Sequence, residues 1–150
     1  MRKTAWAVVA AAVGALVTGA PSATALDAEA VAWSVGHQTA AASGERWTEP
    51  SSTGLNVDLV ISGKLSSTGE GCYSLWTRFL FDLGPGKVLK QAEICGSGTV
   101  DIDVRQAYRA TTTGSVTVCK GTVDTTDCAS WENITWWPID TSNGADKMTA

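Results

Sequence analysis

From Leu55 onward apolar residues recur at every second position. This period constrains the chain more than any other feature, because it marks half-buried strands and not a helical stripe. Leu55, Val57, Leu59, Ile61 and Leu65 share one face, with Asn56, Asp58, Ser62 and Lys64 on the other. After Cys72 the inward set is Tyr73, Leu75, Phe79, Phe81 and Leu83, with Ser74, Arg78 and Asp82 opposite. Gly84-Pro85-Gly86 then turns the chain. Residues 87–95 alternate less cleanly, with Val88 and Ile94 assigned to one face and Leu89 and Cys95 to the other. Val100, Ile102, Val104 and Tyr108 line the next inner face, against Asp101, Asp103, Arg105 and Arg109. Thr112-Thr113-Gly114 interrupts the pattern, Val116 and Val118 resume it, and 130–137 supplies a last strand.

An opening strand over 30–35, with Val31, Trp33 and Val35 in phase, brings the expected total to about seven, the pattern of a small antiparallel β-sandwich. A short helix capped by Asp27 is the rival for that opening segment. Residues 36–54 read as irregular. A structureless stretch of that length is uncommon in a compact domain, so a short strand is expected around Arg46-Trp47-Thr48.

Ahead of this pattern stand Arg2 and Lys3, an uncharged run over 5–17, Pro21 and a closing Ala23-Thr24-Ala25. Basic, apolar and small-residue segments in that order read as a cleavable signal peptide over 1–25. The apolar run falls short of the roughly 20 residues that span a bilayer. The remainder reads as one domain, 26–139, followed by a small polar tail over 140–150 expected to fray. Of the eleven Lys and Arg, two lie in the leader, which holds none of the fifteen acids, so the mature chain is acidic. That disfavours nucleic acid and, after processing, anionic membranes as partners.

Cys72, Cys95, Cys119 and Cys128 all follow the leader, and an even count in an exported chain reads as two disulfides. Of the three connectivities, Cys72–Cys95 with Cys119–Cys128 is preferred, because each then closes over an expected hairpin turn, near Gly84-Pro85-Gly86 and near Asp124. Such loops contribute roughly 2–3 kcal/mol each in the chain-entropy account. No CxxC pair exists and His37 is the only histidine, so neither a zinc site nor another cofactor is expected.

Trp33, Trp47, Trp76, Trp131, Trp136 and Trp137 remain after processing. Core filling is the ordinary role of an indole. Adjacent strand residues face opposite ways, however, so Trp136 and Trp137 cannot both enter one core, and Trp76 is out of phase with Leu75 and Phe79. Trp76, Trp136 and Trp137 are therefore the candidate binding residues, since an outward indole stacks on sugar rings or receives a peptide side chain.

Asp101 and Asp103 share a face with Arg105 and Arg109, and a solvated, charge-paired sheet surface is expected there in preference to calcium binding or acid–base catalysis. The same holds for calcium at Asp124 and Asp127. A hydrolytic triad would have to run through His37, which has no GxSxG elbow to serve, so no catalytic residue is assigned. Asn133-Ile134-Thr135 matches a glycosylation sequon without a host to give it meaning. The 121–127 loop, closed by Cys119 and Cys128, is a candidate inhibitory loop, because a stapled loop loses little entropy on docking.

In size, export and disulfide count the chain resembles the small two-disulfide β-sandwich proteins exported by bacteria, such as the enediyne-binding apoproteins and the subtilisin-type protease inhibitors. No motif is shared, and no functional residue is carried over. The expectation is a secreted, extracellular, non-enzymatic binding module for extracellular polysaccharide or protein. A secreted protease inhibitor and a structural envelope or matrix component are the alternatives.

Overall fold

The computed structural model describes residues 29–82, 84 and 86–137. The leader, the tail, Leu83 and Pro85 lie outside the described residues. In chain order the strands are β1 (Val31–His37), β2 (Ala40–Pro50), β3 (Val57–Ser67), β4 (Cys72–Leu80), β5 (Val88–Cys95), β6 (Gly98–Tyr108), β7 (Thr113–Lys120) and β8 (Glu132–Asn133). They form two antiparallel sheets, ordered β1-β2-β3-β6 and β5-β4-β7-β8. The chain is thus an all-β sandwich. Its core is built where the inward faces meet: Leu59, Ile61 and Leu65 from β3, Tyr73, Leu75 and Phe79 from β4, and Val116 and Val118 from β7.

Both disulfides connect the cysteines that the hairpin reasoning pairs. Cys72–Cys95 spans the register pair that begins the β4–β5 ladder, and Cys119–Cys128 ties the end of β7 to the segment leading into β8. Such bonds are compatible with an exported protein.

β2 departs most from expectation. The segment expected to hold one short strand is an 11-residue strand, paired with β3 along its whole length and with β1 from Ala40 to Arg46. Its Ala, Ser and Gly residues have poor intrinsic strand preference, and its central position supplies through pairing what propensity withholds. The β1–β2 turn is only Gln38-Thr39, with Gln38 at a positive φ of 55°.

β5 alternates poorly because it is bulged. Leu75 pairs with Ala92 but Trp76 pairs with Lys90, leaving Gln91 as the extra residue. The bulge reverses the phase of everything before it. Leu89, opposite Thr77, therefore faces the same way as Ile94, opposite Tyr73, which corrects the face assignment drawn from simple alternation. The displaced Gln91 is held by its Nε2 donating to Thr77 Oγ1 at 2.7 Å.

The expected inward set is also trimmed at strand ends. Leu55 is 87% exposed and Val57 44%, because a turn closed by Gly54 N–H to the Ser51 carbonyl holds Leu55 ahead of β3. Phe81 is 42% exposed because β4 stops at Leu80 and Asp82 takes a positive φ. The last strand shrinks to β8, since the Asn133 side chain accepts from the amides of Thr135 and Trp136 and bends the chain out of the sheet. The sequon asparagine thus works as a turn former.

One polar side chain crosses the core. Arg46 of β2 points inward and is 5% exposed. Its guanidinium donates to the carbonyls of Asn133 at 2.9 Å and Trp136 at 2.5 Å, and lies 5.6 Å from the Trp137 ring centroid. Desolvation pulls the guanidinium below its ordinary pKa, opposed by the Glu132 carboxylate and by Tyr108. The charge-assisted bonds and the aromatic face offset part of the lost hydration, while the buried Nε–H has no hydrogen-bond partner among the described residues. Arg46→Ala is expected to destabilise the fold by about 2–4 kcal/mol in urea unfolding. In the same variant the Ile134 amide should exchange faster with solvent, and unchanged exchange there would show that Arg46 does not hold the segment.

Candidate functional site

The outward face of the β1-β2-β3-β6 sheet can be written from its register. Ser34, Ser43, Lys64 and Asp101 form one row, and Ala32, Glu45, Ser62 and Asp103 the next. Trp47, Val60 and Arg105 form a third row, and Glu49, Asp58 and Ala107 a fourth. The floor toward β1 is small and the wall along β6 is charged. Between them lies a depression of about 620 Å³ that includes Ser43, Trp47, Ser62, Lys64, Asp103 and Arg105.

A close approach of β2 and β3 accompanies this depression. Gly44 and Gly63 are register partners, and a Cβ on Gly44 would lie 1.9 Å from the Ser62 carbonyl oxygen, while one on Gly63 would lie 2.2 Å from that of Ser43. No side chain larger than hydrogen fits at either position without a backbone shift. The same crossing admits Trp33, which is register partner to Gly44 on the core side and is 4% exposed.

Trp47 is the aromatic element of the surface. Val60 faces outward yet is only 1% exposed, flanked in its row by Trp47 and Arg105. The Trp47 indole N–H donates to Glu49 Oε2 at 3.2 Å, and Arg105 forms an ion pair with Oε1 of the same carboxylate. These bonds hold the Glu49 carboxyl below the ordinary value of 4.5, the Arg105 bond contributing most. On the far side Lys64 pairs with Asp101 at 2.5 Å. The half-buried indole is therefore linked through one carboxylate to Arg105.

The residues singled out from sequence are placed apart. Trp76 is half-buried on the outer face of the other sheet, with its N–H bonded to Ser74 Oγ at 2.7 Å. On that face Arg78 lies 4.6 Å from the Trp131 ring centroid, so one indole is already covered. Trp136 is 79% exposed beyond β8. Trp137 is half-buried, packs on the core and donates to the Tyr108 hydroxyl at 2.9 Å. With Tyr108, Thr48, Val57 and Arg109 it lines a cavity of about 1080 Å³ at one end of the sandwich, where the described chain begins and ends.

Asp101 and Asp103 do share one face, in adjacent rows beside Lys64 and Arg105, as the alternation requires. Asp124 is occupied by the amide and hydroxyl of Thr126, and Asp127 by His37 at 2.8 Å. Among the described residues no three His, Cys, Asp or Glu side chains converge as a metal-binding group. Sequence reasoning missed Trp47 as a surface residue. The available signal was its position between Arg46 and Thr48 in a segment already suspected of being extended.

No protein-family model, curated protein or solved structure matches this chain.

Since the Glu49 carboxyl is held below its ordinary value, its bond to Trp47 is present at neutral pH and is lost only as pH falls through the depressed value. The Trp47 indole N–H resonance, assigned by comparison with Trp47→Phe, should shift on acidification with a midpoint below 4.5. Glu49→Gln should abolish that shift. A midpoint above 4.5 would contradict the assigned role of Glu49.

Proposed function

We propose that this protein is an exported, non-catalytic binding module acting outside the cell, and that its ligand is a neutral extracellular polysaccharide held in the depression around Trp47. The observation that carries this reading is the half-buried indole, bonded through Glu49 to Arg105, beside a wall of hydrogen-bonding charges. A sugar ring presents an apolar C–H face and a rim of hydroxyls. An indole suits the first, and carboxylate, ammonium and guanidinium groups suit the second.

Neutral glycan is favoured over polyanion because the chain is acidic overall and Lys64 and Arg105 are each already matched with a carboxylate. A polymer is favoured over a monosaccharide because a shallow sheet face gives one ring few contacts, and association must offset the loss of translational freedom. The leader of 1–25 and the two disulfides are consistent with work in an oxidising, extracellular setting.

The test is retention on insoluble neutral glycans such as cellulose, chitin and xylan. The mature protein should be retained on at least one. Trp47→Ala should weaken retention at least about tenfold, the loss expected of an interface anchor. The double variant Trp76→Ala, Trp136→Ala should bind as the parent does. Retention that survives Trp47→Ala would overturn the proposed site.

A further inference from the structure

The loop between Cys119 and Cys128 is held on all sides and presents a single apolar side chain. Gly121 N–H donates to the Cys72 carbonyl at 2.7 Å and the Gly121 carbonyl accepts from Ser74 Oγ at 2.6 Å. The Thr122 carbonyl accepts from Lys90 Nζ at 3.1 Å. On the return limb the Asp127 carbonyl accepts from the Lys120 amide at 2.8 Å, while its carboxylate meets His37 at 2.8 Å and Gln38 Nε2 at 3.3 Å. Asp124 accepts from the Thr126 amide and hydroxyl, closing the tip. A disulfide joins the two limbs at the base.

At the tip Val123 is 87% exposed. Among the described residues its backbone takes no part in the hydrogen bonds that hold the loop. An isolated exposed apolar residue is by itself ordinary, and Leu55 is equally exposed. Here a rigid scaffold of polar contacts lifts one small aliphatic side chain into solvent, with unpaired main-chain groups beside it.

We propose that this loop is a docking element for an extracellular serine protease whose specificity pocket takes small aliphatic side chains, with Val123 as the pocket-filling residue. Three features fit that partner class. A protease cleft recognises a projecting side chain together with the adjacent main-chain amide and carbonyl, which are the groups left unpaired at Val123. A branched three-carbon side chain fills an elastase-type pocket and leaves a trypsin- or chymotrypsin-type pocket mostly empty. A loop fixed by a disulfide and by contacts from β1, β4 and β5 loses little conformational entropy on docking, so the complex outlasts that of a flexible substrate. The depression around Trp47 lies on the opposite sheet, so this activity does not depend on glycan binding.

The test is inhibition of an elastase-type, a trypsin-type and a chymotrypsin-type serine protease by the intact mature protein, each assayed with its own small chromogenic peptide. The elastase-type enzyme should be inhibited competitively, and the other two at least about a hundredfold less. Val123→Gly should weaken that inhibition at least about tenfold, the scale set by losing methyl groups from an apolar pocket. Val123→Lys should transfer inhibition to the trypsin-type enzyme. Because the side chain is exposed and the anchors lie elsewhere, circular dichroism of both variants should match the parent. No inhibition of the elastase-type enzyme at about 10 μM parent protein, rapid cleavage of the loop as a substrate, or equal inhibition by Val123→Gly would each overturn the proposal. Trp47→Ala should inhibit as the parent does, which separates failure of this inference from failure of the glycan reading.

Discussion

The guanidinium of Arg46, held across the core by the carbonyls of Asn133 and Trp136, sets the frame on which the rest of this structure depends. In a strand, neighbours face opposite ways, and a slip of one residue exchanges the two faces. With Arg46 anchored inward, Trp47 must face outward. The same bond draws the segment after β8 against the first sheet, and Trp137 follows it under the guanidinium. A buried charge is an expensive way to join two sheets, and a pair of well-packed apolar residues could match its stability. What Arg46 adds is direction, because its planar fork reaches two carbonyls that no aliphatic side chain could distinguish.

The outward surface follows from that register. Two glycines bring β2 and β3 together, the small residues of β2 floor the depression, and the charges of β6 wall it. Glu49 serves both Trp47 and Arg105, so the indole and its polar neighbours form one connected unit. Ion pairs on a solvated sheet contribute little to stability, and less as salt rises. Their value here lies in orientation. On the other sheet Arg78 stands over the Trp131 ring, and the Trp76 N–H donates to Ser74 Oγ.

Much of the fold was legible in the sequence. Strict alternation located the cores of β3, β4, β6 and β7, and the hairpin turns selected the two disulfides from three connectivities. The failures have physical causes. β2 was hidden because Ala41, Ala42, Ser43 and Gly44 lack the branched side chains that mark a strand, although pairing on both sides makes the strand secure. β5 was misphased because one bulged residue inverts the alternation, and no local signal distinguishes Gln91 as the extra one. β8 was overextended because the turn made by the Asn133 side chain interrupts a run that looks continuous. The charged face of Asp101, Asp103 and Arg105 was found, but its aromatic neighbour was not. Trp47 comes from a strand distant in sequence from β6, and only pairing through β3 places the two on one surface.

The central claim, that an indole fixed by Glu49 and Arg105 marks a sugar-binding face, is tested most directly by nuclear magnetic resonance titration of the labelled protein without residues 1–25, using a soluble neutral oligosaccharide series. The account predicts concentration-dependent shifts at the Trp47 indole N–H and at the backbone amides of Ser43, Ser62 and Asp103, with the Trp76, Trp131 and Trp136 indoles unmoved. Shifts centred on those other indoles, or none at about 10 mM sugar, would contradict it.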